Sequence, residues 1–121
     1  MPGSKRKILL IDQDPQYAQF IAERLRVFGY DVVTAQEEIE ALADAKDQNP
    51  ELVLLDFTLP KDDFHFMKTF KRMYDQIPVI MVTEADDAAT IRQAFDMGMT
   101  DYVVKPFELS MFLDKVKKAL H

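Results

Sequence analysis

Four short apolar runs, each followed by a polar or charged residue, constrain the fold more than any other feature of the sequence. The most apolar run is Leu52–Leu55, which leads into Asp56. The other three are Ile8–Ile11 before Asp12, Val79–Val82 before Thr83, and Tyr102–Val104 before Lys105. Continuous apolar runs of this length are typical of strands buried on both faces. Because an ionised Asp is costly to bury unless it is paired, we predict a parallel sheet whose polar strand ends meet at one edge.

Stretches with helical spacing of apolar residues separate these runs. We predict strands at Arg6–Asp12, Asp31–Ala35, Leu52–Asp56, Pro78–Thr83 and Asp101–Lys105, with helices at Asp14–Phe28, Gln36–Asp47, after Asp62, from Asp86 or Asp87 to Gly98, and Glu108–Leu120. Strict alternation of strand and helix indicates the α/β class, here a flavodoxin-like (βα)5 three-layer sandwich with a parallel five-stranded sheet of order 2-1-3-4-5. In that order the first and third strands are adjacent, so Asp12 and Asp56 are predicted neighbours.

The same spacing predicts which side chains face the core. The inward positions are Ala18, Ile21, Ala22, Leu25 and Phe28; Ile39, Leu42 and Ala45; Phe64, Met67, Phe70 and Met73 or Tyr74; Ile91, Ala94 and Phe95; and Leu109, Phe112, Leu113, Val116 and Leu120. Five methionines are expected to fill the core: Met67, Met73, Met81, Met97 and Met99. Three lysines of the last helix are expected on a solvated face: Lys115, Lys117 and Lys118.

Composition limits the function classes. A chain of 121 residues with 48% hydrophobic residues predicts one folded domain, residues 1–121 with a core of about 5–120. The absence of cysteine excludes disulfides and thiol chemistry and fits a cytoplasmic location. No apolar run approaches the roughly 18 residues of a membrane span. The net charge of -6 argues against direct nucleic-acid binding.

The four strand ends predict a particular chemistry. Two carboxylates in one cleft, Asp12 and Asp56, repel each other unless a cation lies between them, and oxygen ligands at a wet edge suit Mg²⁺. The hydroxyl of Thr83 and the ammonium of Lys105 suit a phosphoryl group. An Asp beside a cation is able to act as a nucleophile. The combination predicts phosphoryl transfer onto a carboxylate.

Four segments in this order and spacing resemble the receiver domain of bacterial two-component response regulators (CheY-like): Ile8–Asp12, Leu52–Pro60, Pro78–Thr83 and Asp101–Phe107. The resemblance implies that Asp56 accepts phosphate from a histidine kinase or phosphotransfer protein. It implies that Thr83 and Lys105 contact the phosphoryl group and that the rotamer of Tyr102 follows it. The implied Mg²⁺ ligands are Asp12, Gln13, Asp56 and the backbone carbonyl of Thr58, and the implied cis peptide bond precedes Pro106.

The resemblance also implies a switch rather than an enzyme. Phosphorylation would alter a surface made by the fourth helix, the fifth strand and the fifth helix. That surface would then bind an output partner or a second copy of the domain.

Three positions depart from the family pattern. Gln13 replaces a metal-binding acid, so Mg²⁺ binding is expected to be weak. Phe64 stands where a glycine is usual before the third helix. Glu84 replaces a small residue after the switch Thr, where it would crowd the phosphate or return the carboxylate that Gln13 removes. Asp14 is predicted to cap the first helix rather than to bind metal.

Two alternatives remain open at this point. The first is a pseudo-receiver, a docking or dimerisation module that does not use phosphorylation, which the three departures favour. The second is a phosphatase of the haloacid-dehalogenase type, suggested by Asp12-Gln13-Asp14 after an apolar strand. The phosphatase interpretation leaves Asp56 unexplained and finds no acidic pair after Lys105.

Overall fold

Five parallel strands alternate with five helices in this computed structural model, which describes residues 5–57 and 60–120, and their side chains except those of residues 57 and 60–64. The strands are β1 (Lys7–Ile11), β2 (Asp31–Ala35), β3 (Leu52–Phe57), β4 (Val79–Thr83) and β5 (Asp101–Val104). The helices are α1 (Pro15–Val27), α2 (Glu38–Gln48), α3 (Pro60–Met73), α4 (Ala88–Asp96) and α5 (Leu109–Leu120). The sheet order is β2-β1-β3-β4-β5, which confirms the predicted flavodoxin-like topology.

The central strand β3 separates two apolar layers. Leu52 and Leu54 face α1 and α5, whereas Val53 and Leu55 face α2, α3 and α4. All four are buried almost completely, which is why the run is apolar at every position rather than at alternate ones. Asp56, the next residue of β3, is the first polar residue of the strand and is still buried.

Polar caps fix where the helices begin, and glycines fix where two of them end. Asp14 Oδ1 accepts hydrogen bonds from the backbone nitrogens of Gln16 (3.0 Å) and Tyr17 (3.3 Å), as expected for the N-cap of α1. Asp87, rather than Asp86, caps α4 through the backbone nitrogen of Thr90 at 2.9 Å. Gly29 and Gly98 follow α1 and α4 with φ of 94° and 109°, a conformation that favours glycine.

Four predicted core residues are exposed, and each has a local reason. Phe28 is 58% exposed because it is the C-cap of α1, where the backbone has already left the helix. Ile39 is 82% exposed because α2 presents Ala41 and Ala45 to the sheet, with Leu42 partly buried, and Ile39 does not share their face.

The other two exposed residues, Met73 on α3 and Phe95 on α4, also have local reasons. Met73 ends α3 and is exposed, so that Tyr74 packs on the core instead and Met73 is not core filler. Ala94 is the buried residue of α4, and Phe95 lies beside it at the layer's margin, half-exposed. Phe66, which is not among the predicted inward positions, is buried against Phe70. The predicted inward position Phe64 lies outside the described side chains.

None of the helices in the described parts of the chain is both long enough and apolar enough to span a membrane.

Candidate functional site

Two buried carboxyl groups lie side by side at the carboxyl edge of the sheet. β1 pairs with β3 so that Ile11 is opposite Leu55, which places the next residues, Asp12 and Asp56, together. Asp12 is 3% exposed and Asp56 is 8% exposed. Asp12 is fixed by its backbone, whose nitrogen donates to the carbonyl of Ala35 at 2.9 Å. Its Oδ1 also accepts from the backbone nitrogen of Asp14 at 2.9 Å, so the carboxyl group has a fixed orientation.

Lys105 provides a positive charge at this edge. Its Nζ lies 2.5 Å from Asp56 Oδ2, and its side chain is 18% exposed. The position of Lys105 is set by β4, because its backbone nitrogen donates to the carbonyl of Thr83 at 2.7 Å. The peptide bond between Lys105 and Pro106 is cis.

Tyr17 is a neighbour of Lys105 that sequence reasoning missed. The Lys105 Nζ lies 4.3 Å from the centre of the Tyr17 ring, within the range of a cation–π interaction. Lys105 therefore contacts a carboxylate and an aromatic face at once, which restricts its motion. Only the fold could reveal this contact, since the sequence offers no signal that links the first turn of α1 to the end of β5.

Burial and charge move the pKa of Asp56 in a direction that is unusual for a paired carboxyl group. Burial raises its pKa, the hydrogen bond with Lys105 lowers it, and the neighbouring Asp12 raises it, with a net result of about 6. The pKa of Lys105 is raised, because the hydrogen bond with Asp56 and its charge outweigh the lowering by burial. Near neutral pH the Asp56 carboxylate therefore lies beside the ammonium group of Lys105 and the carboxyl group of Asp12.

Two carboxylate oxygens at this edge have no hydrogen-bond partner within the part of the chain that the structure describes: Asp12 Oδ2 and Asp56 Oδ1. Buried oxygens without a protein partner are satisfied by a proton, a cation or an ordered water. Hard oxygen donors of this kind fit Mg²⁺. Among residues 5–57 and 60–120, no group of three His, Cys, Asp or Glu is arranged to hold a metal ion, so the donor set is sparse.

The other predicted metal ligands are placed differently. Gln13 is exposed and lines a cleft of about 50 Å³ beside Asp56. The carbonyl of Thr58 lies outside the described residues. Asp14 is engaged as the N-cap of α1, as predicted. Glu84 is exposed and is not among the residues that line this cleft.

Thr83 lies beside the carboxyl pair at the end of β4. The pairing of β3 with β4 sets Asp56 opposite Val82 and residue 57 opposite Thr83. Thr83 is 1% exposed, and its Oγ1 accepts a hydrogen bond from the backbone nitrogen of Ala85 at 2.9 Å. The hydroxyl is an acceptor in this bond, so its own proton stays available for another acceptor.

Tyr102 lies away from the carboxyl pair, half-buried between α4 and α5. Its ring meets Phe95 edge to face at 6.0 Å between centroids. Lys115 Nζ lies 4.9 Å from the same ring, donates to the Tyr102 carbonyl at 2.6 Å and pairs with Asp101 Oδ1 at 3.2 Å. The prediction of a solvated Lys115 is therefore wrong, because α5 packs beside β5 and brings this side chain onto it.

A larger groove is separate from this edge. It measures about 490 Å³ and is lined by residues of α5 together with Phe28 and Tyr30. None of the residues of the acidic edge lines it, so its size does not locate the chemistry.

The fold and this edge define a class: receivers of the CheY type. The chain matches the family described as response regulator receiver domain over residues 8–117. Among solved structures, chemotaxis protein CheY4 of Vibrio cholerae has a TM-score of 0.89 and 27% identity, covering 97% of this chain and all of that one. The BeF3-activated receiver domain of Klebsiella pneumoniae RstA has a TM-score of 0.88 and 27% identity, covering 96% and 99%.

The curated relatives of the chain support the same class of protein. The chain is 36% identical over 117 residues to the DNA-binding dual master transcriptional regulator RpaA of Synechocystis sp., covering 94% of this chain and 48% of that protein. It is 38% identical over 107 residues to the probable transcriptional regulator ycf27 of Cyanophora paradoxa, covering 88% and 45%. The chain belongs to the response regulator receiver family and to two-component signalling. It spans about half the length of the curated relatives that it matches.

Proposed function

We propose that residues 1–121 form a single receiver domain in which Asp56 accepts a phosphoryl group from a histidine kinase or phosphotransfer protein. The observation that supports this most directly is the state of the Asp56 carboxylate. One of its oxygens is paired with Lys105, and the other has no partner among the described residues although it is buried at the end of a rigid strand. A carboxylate held in this way is positioned as a nucleophile.

The proposed step is a substitution at phosphorus. A carboxylate oxygen of Asp56 forms the new bond to phosphorus while the bond from phosphorus to the donor's histidine nitrogen breaks, and the electron pair leaves with the imidazole. Lys105 offsets the added negative charge, and the Thr83 hydroxyl donates to a phosphoryl oxygen. The domain is then a substrate of the kinase and a switch, rather than an enzyme with a product of its own.

The donor set fits Mg²⁺, with Asp12 and Asp56 as the charged ligands and Gln13 and the Thr58 carbonyl as neutral ones. Mg²⁺, when bound, would supply positive charge that offsets the negative charge of these carboxylates and of the incoming phosphoryl group. Because Gln13 contributes no charge, we propose that the affinity is weak.

The alternatives are less well supported. The family match and the relatives favour a receiver in two-component signalling over a pseudo-receiver. The phosphatase interpretation requires Asp14 as a catalytic carboxylate, whereas its Oδ1 caps α1.

We expect acetyl phosphate with Mg²⁺ to add a single phosphate to the wild-type domain and none to Asp56→Asn, because the amide is not a nucleophile. Intact-protein mass spectrometry with and without Mg²⁺ measures the number of phosphates added to each protein. Asp47→Asn, an exposed carboxylate at the far end of α2, is the matched control and should be phosphorylated like wild type. Equal labelling of Asp56→Asn, or an unlabelled wild type, would contradict the proposal.

We propose that the output surface comprises α4, β5 and α5, and that it binds an output partner or a second copy. Lys115 joins α5 to β5 through Asp101 and the Tyr102 carbonyl, and the Tyr102 ring contacts Phe95 on α4. A change in the Tyr102 rotamer would therefore disturb all three elements. A phosphate bound at Asp56 shifts this equilibrium only if it binds one arrangement better than the other.

A beryllofluoride mimic is expected to shift the amide NMR signals of residues 86–97 and 101–105 more than those of residues 36–47. Lys115→Met should alter the pattern on β5, because it removes the contact that joins α5 to this strand. Equal shifts in the two regions would remove the argument for this surface.

The functions of the full-length relatives bear on the wider role of this domain. RpaA is described as DNA-binding, and this chain matches about half of its length. The net charge of -6 supports a role for this domain without direct nucleic-acid contact. A cytoplasmic location is proposed, because histidine kinases phosphorylate their receivers there.

A further inference from the structure

The corner between β2 and α2 reaches the acidic edge and carries two carboxylates that the predicted site does not include. Glu37 and Glu38 line the same cleft of about 50 Å³ as Gln13 and Asp56. Both glutamates are exposed, so their side chains are free to change rotamer. The cleft thus has a neutral residue, Gln13, where a charge is expected, and two glutamates elsewhere in its lining.

The Glu37 carboxylate is not used by its own helix. Glu37 is the N-cap of α2 with an extended backbone, yet its side chain makes no capping hydrogen bond. Ser, Thr, Asp and Asn are the residues that normally provide this bond, so Glu37 is a poor cap. The Glu40 carboxylate, in contrast, has a hydrogen-bond partner, because its Oε1 accepts from the backbone nitrogen of Gln36 at 2.7 Å.

A second and independent observation points to a cation. Asp56 also lines the cleft, its side chain is 2% exposed, and its Oδ1 has no partner among the described residues. Lys105 binds the other oxygen of the same carboxylate. Asp14, whose Oδ1 caps α1, and Glu84 do not line this cleft.

We propose that Glu37 and Glu38 supply the negative charge that Gln13 lacks, and that they do so at the rim of the divalent-cation site. The inference rests on the proposed function, because it assigns new residues to the Mg²⁺ site of Asp12 and Asp56. Mg²⁺ gives up water reluctantly, so a carboxylate that acts through a bound water contributes charge without direct contact. This arrangement agrees with a donor set too sparse for a compact cluster in the described region.

The test is calorimetric titration of the unphosphorylated chain with MgCl₂ near pH 7. Glu37→Gln/Glu38→Gln is expected to bind Mg²⁺ about three- to tenfold more weakly than wild type, because two nearby charges are lost. Asp44→Asn/Asp47→Asn removes the same charge from the other end of α2 and should stay within twofold of wild type. Gln13→Asp is the positive control, with about tenfold tighter binding.

Mg²⁺ affinities measured at two ionic strengths distinguish an effect of charge from an effect of misfolding. In about 0.5 M KCl the difference between the glutamine pair and wild type should shrink, because exposed charges are screened. Circular dichroism without Mg²⁺ checks that the variant is folded. An affinity within twofold of wild type, or a loss that does not respond to salt, would overturn the role of Glu37 and Glu38. That result differs from failure of the proposed function, in which wild type itself neither binds Mg²⁺ nor becomes phosphorylated.

Discussion

Asp56→Asn should stabilise the unphosphorylated domain by roughly 2–3 kcal/mol near pH 7. The pKa of Asp56 is about 6 in the folded chain, against an ordinary value of 3.8, and burial is the largest cause. Each pKa unit corresponds to about 1.4 kcal/mol, so folding with an ionised Asp56 costs about 3 kcal/mol. The amide keeps the shape and removes this cost, which already includes the favourable interaction of the ionised carboxylate with Lys105, because that interaction is one of the causes that set the pKa.

The pH dependence has a definite sign. A carboxyl group whose pKa is raised on folding binds a proton more tightly in the folded chain, so it opposes folding increasingly as the pH rises from about 4 to about 6. The stability difference between Asp56→Asn and wild type should therefore be small near pH 4, grow through this window and level off above it. Urea unfolding of wild type and Asp56→Asn at several pH values measures this difference in the free energy of unfolding. Asp47→Asn, which changes an exposed carboxylate, is the control. A gain that does not change with pH, or a loss near pH 7, would refute the interpretation.

Lys105→Met should destabilise the domain by about 1–2 kcal/mol near pH 7, because Asp56 takes up a proton once its pKa rises above this pH, and this limits the cost of leaving it unpaired. Removing one member of a buried pair leaves the other charge without compensation, and Asp12 and Asp56 would then face each other without this ammonium group. The variant also loses the cation–π contact of Lys105 with Tyr17. Methionine keeps most of the aliphatic length, so lost packing contributes little to the expected cost.

A double-mutant cycle assigns this loss to charge. In the Asp56→Asn background, the cost of Lys105→Met should fall below about 1 kcal/mol, because no buried carboxylate at position 56 then remains unpaired. Lys117→Met, an exposed lysine of α5, is the matched control and should change the free energy of unfolding by less than about 0.5 kcal/mol. Equal costs in the two backgrounds would show that the loss does not arise from the pair.

The sequence predicted the parts of this structure that depend on chain direction and periodicity. Alternating strands and helices determined the sheet order, and the sheet order brought Asp12 beside Asp56 without any knowledge of side-chain packing. The strand ends, the caps at Asp14 and Asp87, and the exit from α1 at Gly29 follow from local chemistry. These features agree with the structure because each depends on a few consecutive residues.

Contacts between elements that are distant in sequence could not be predicted in the same way. The position of Lys115 on β5, the Tyr17 ring under Lys105, and the acidic corner of Glu37 and Glu38 all depend on how helices are placed against the sheet. Ile39 was misplaced for a related reason: periodicity gives the angle between side chains, but small residues such as Ala41 decide which side approaches the sheet.

The central position of β3 has a consequence for how the domain responds to modification. β3 is hydrogen-bonded along both edges, to β1 and β4; Asp12 directly follows β1, and Thr83 is the last residue of β4. The reacting carboxylate and its flanking groups are therefore attached to paired strand backbone or, for Asp12, one residue beyond it. A phosphoryl group added to Asp56 is therefore attached to backbone that strand pairing holds in place. Any conformational change that makes room for it has to occur in the loops that follow the strands. Differences in signalling rate between such domains should accordingly arise from loop residues such as Gln13, Glu37 and Glu84, rather than from the apolar strands.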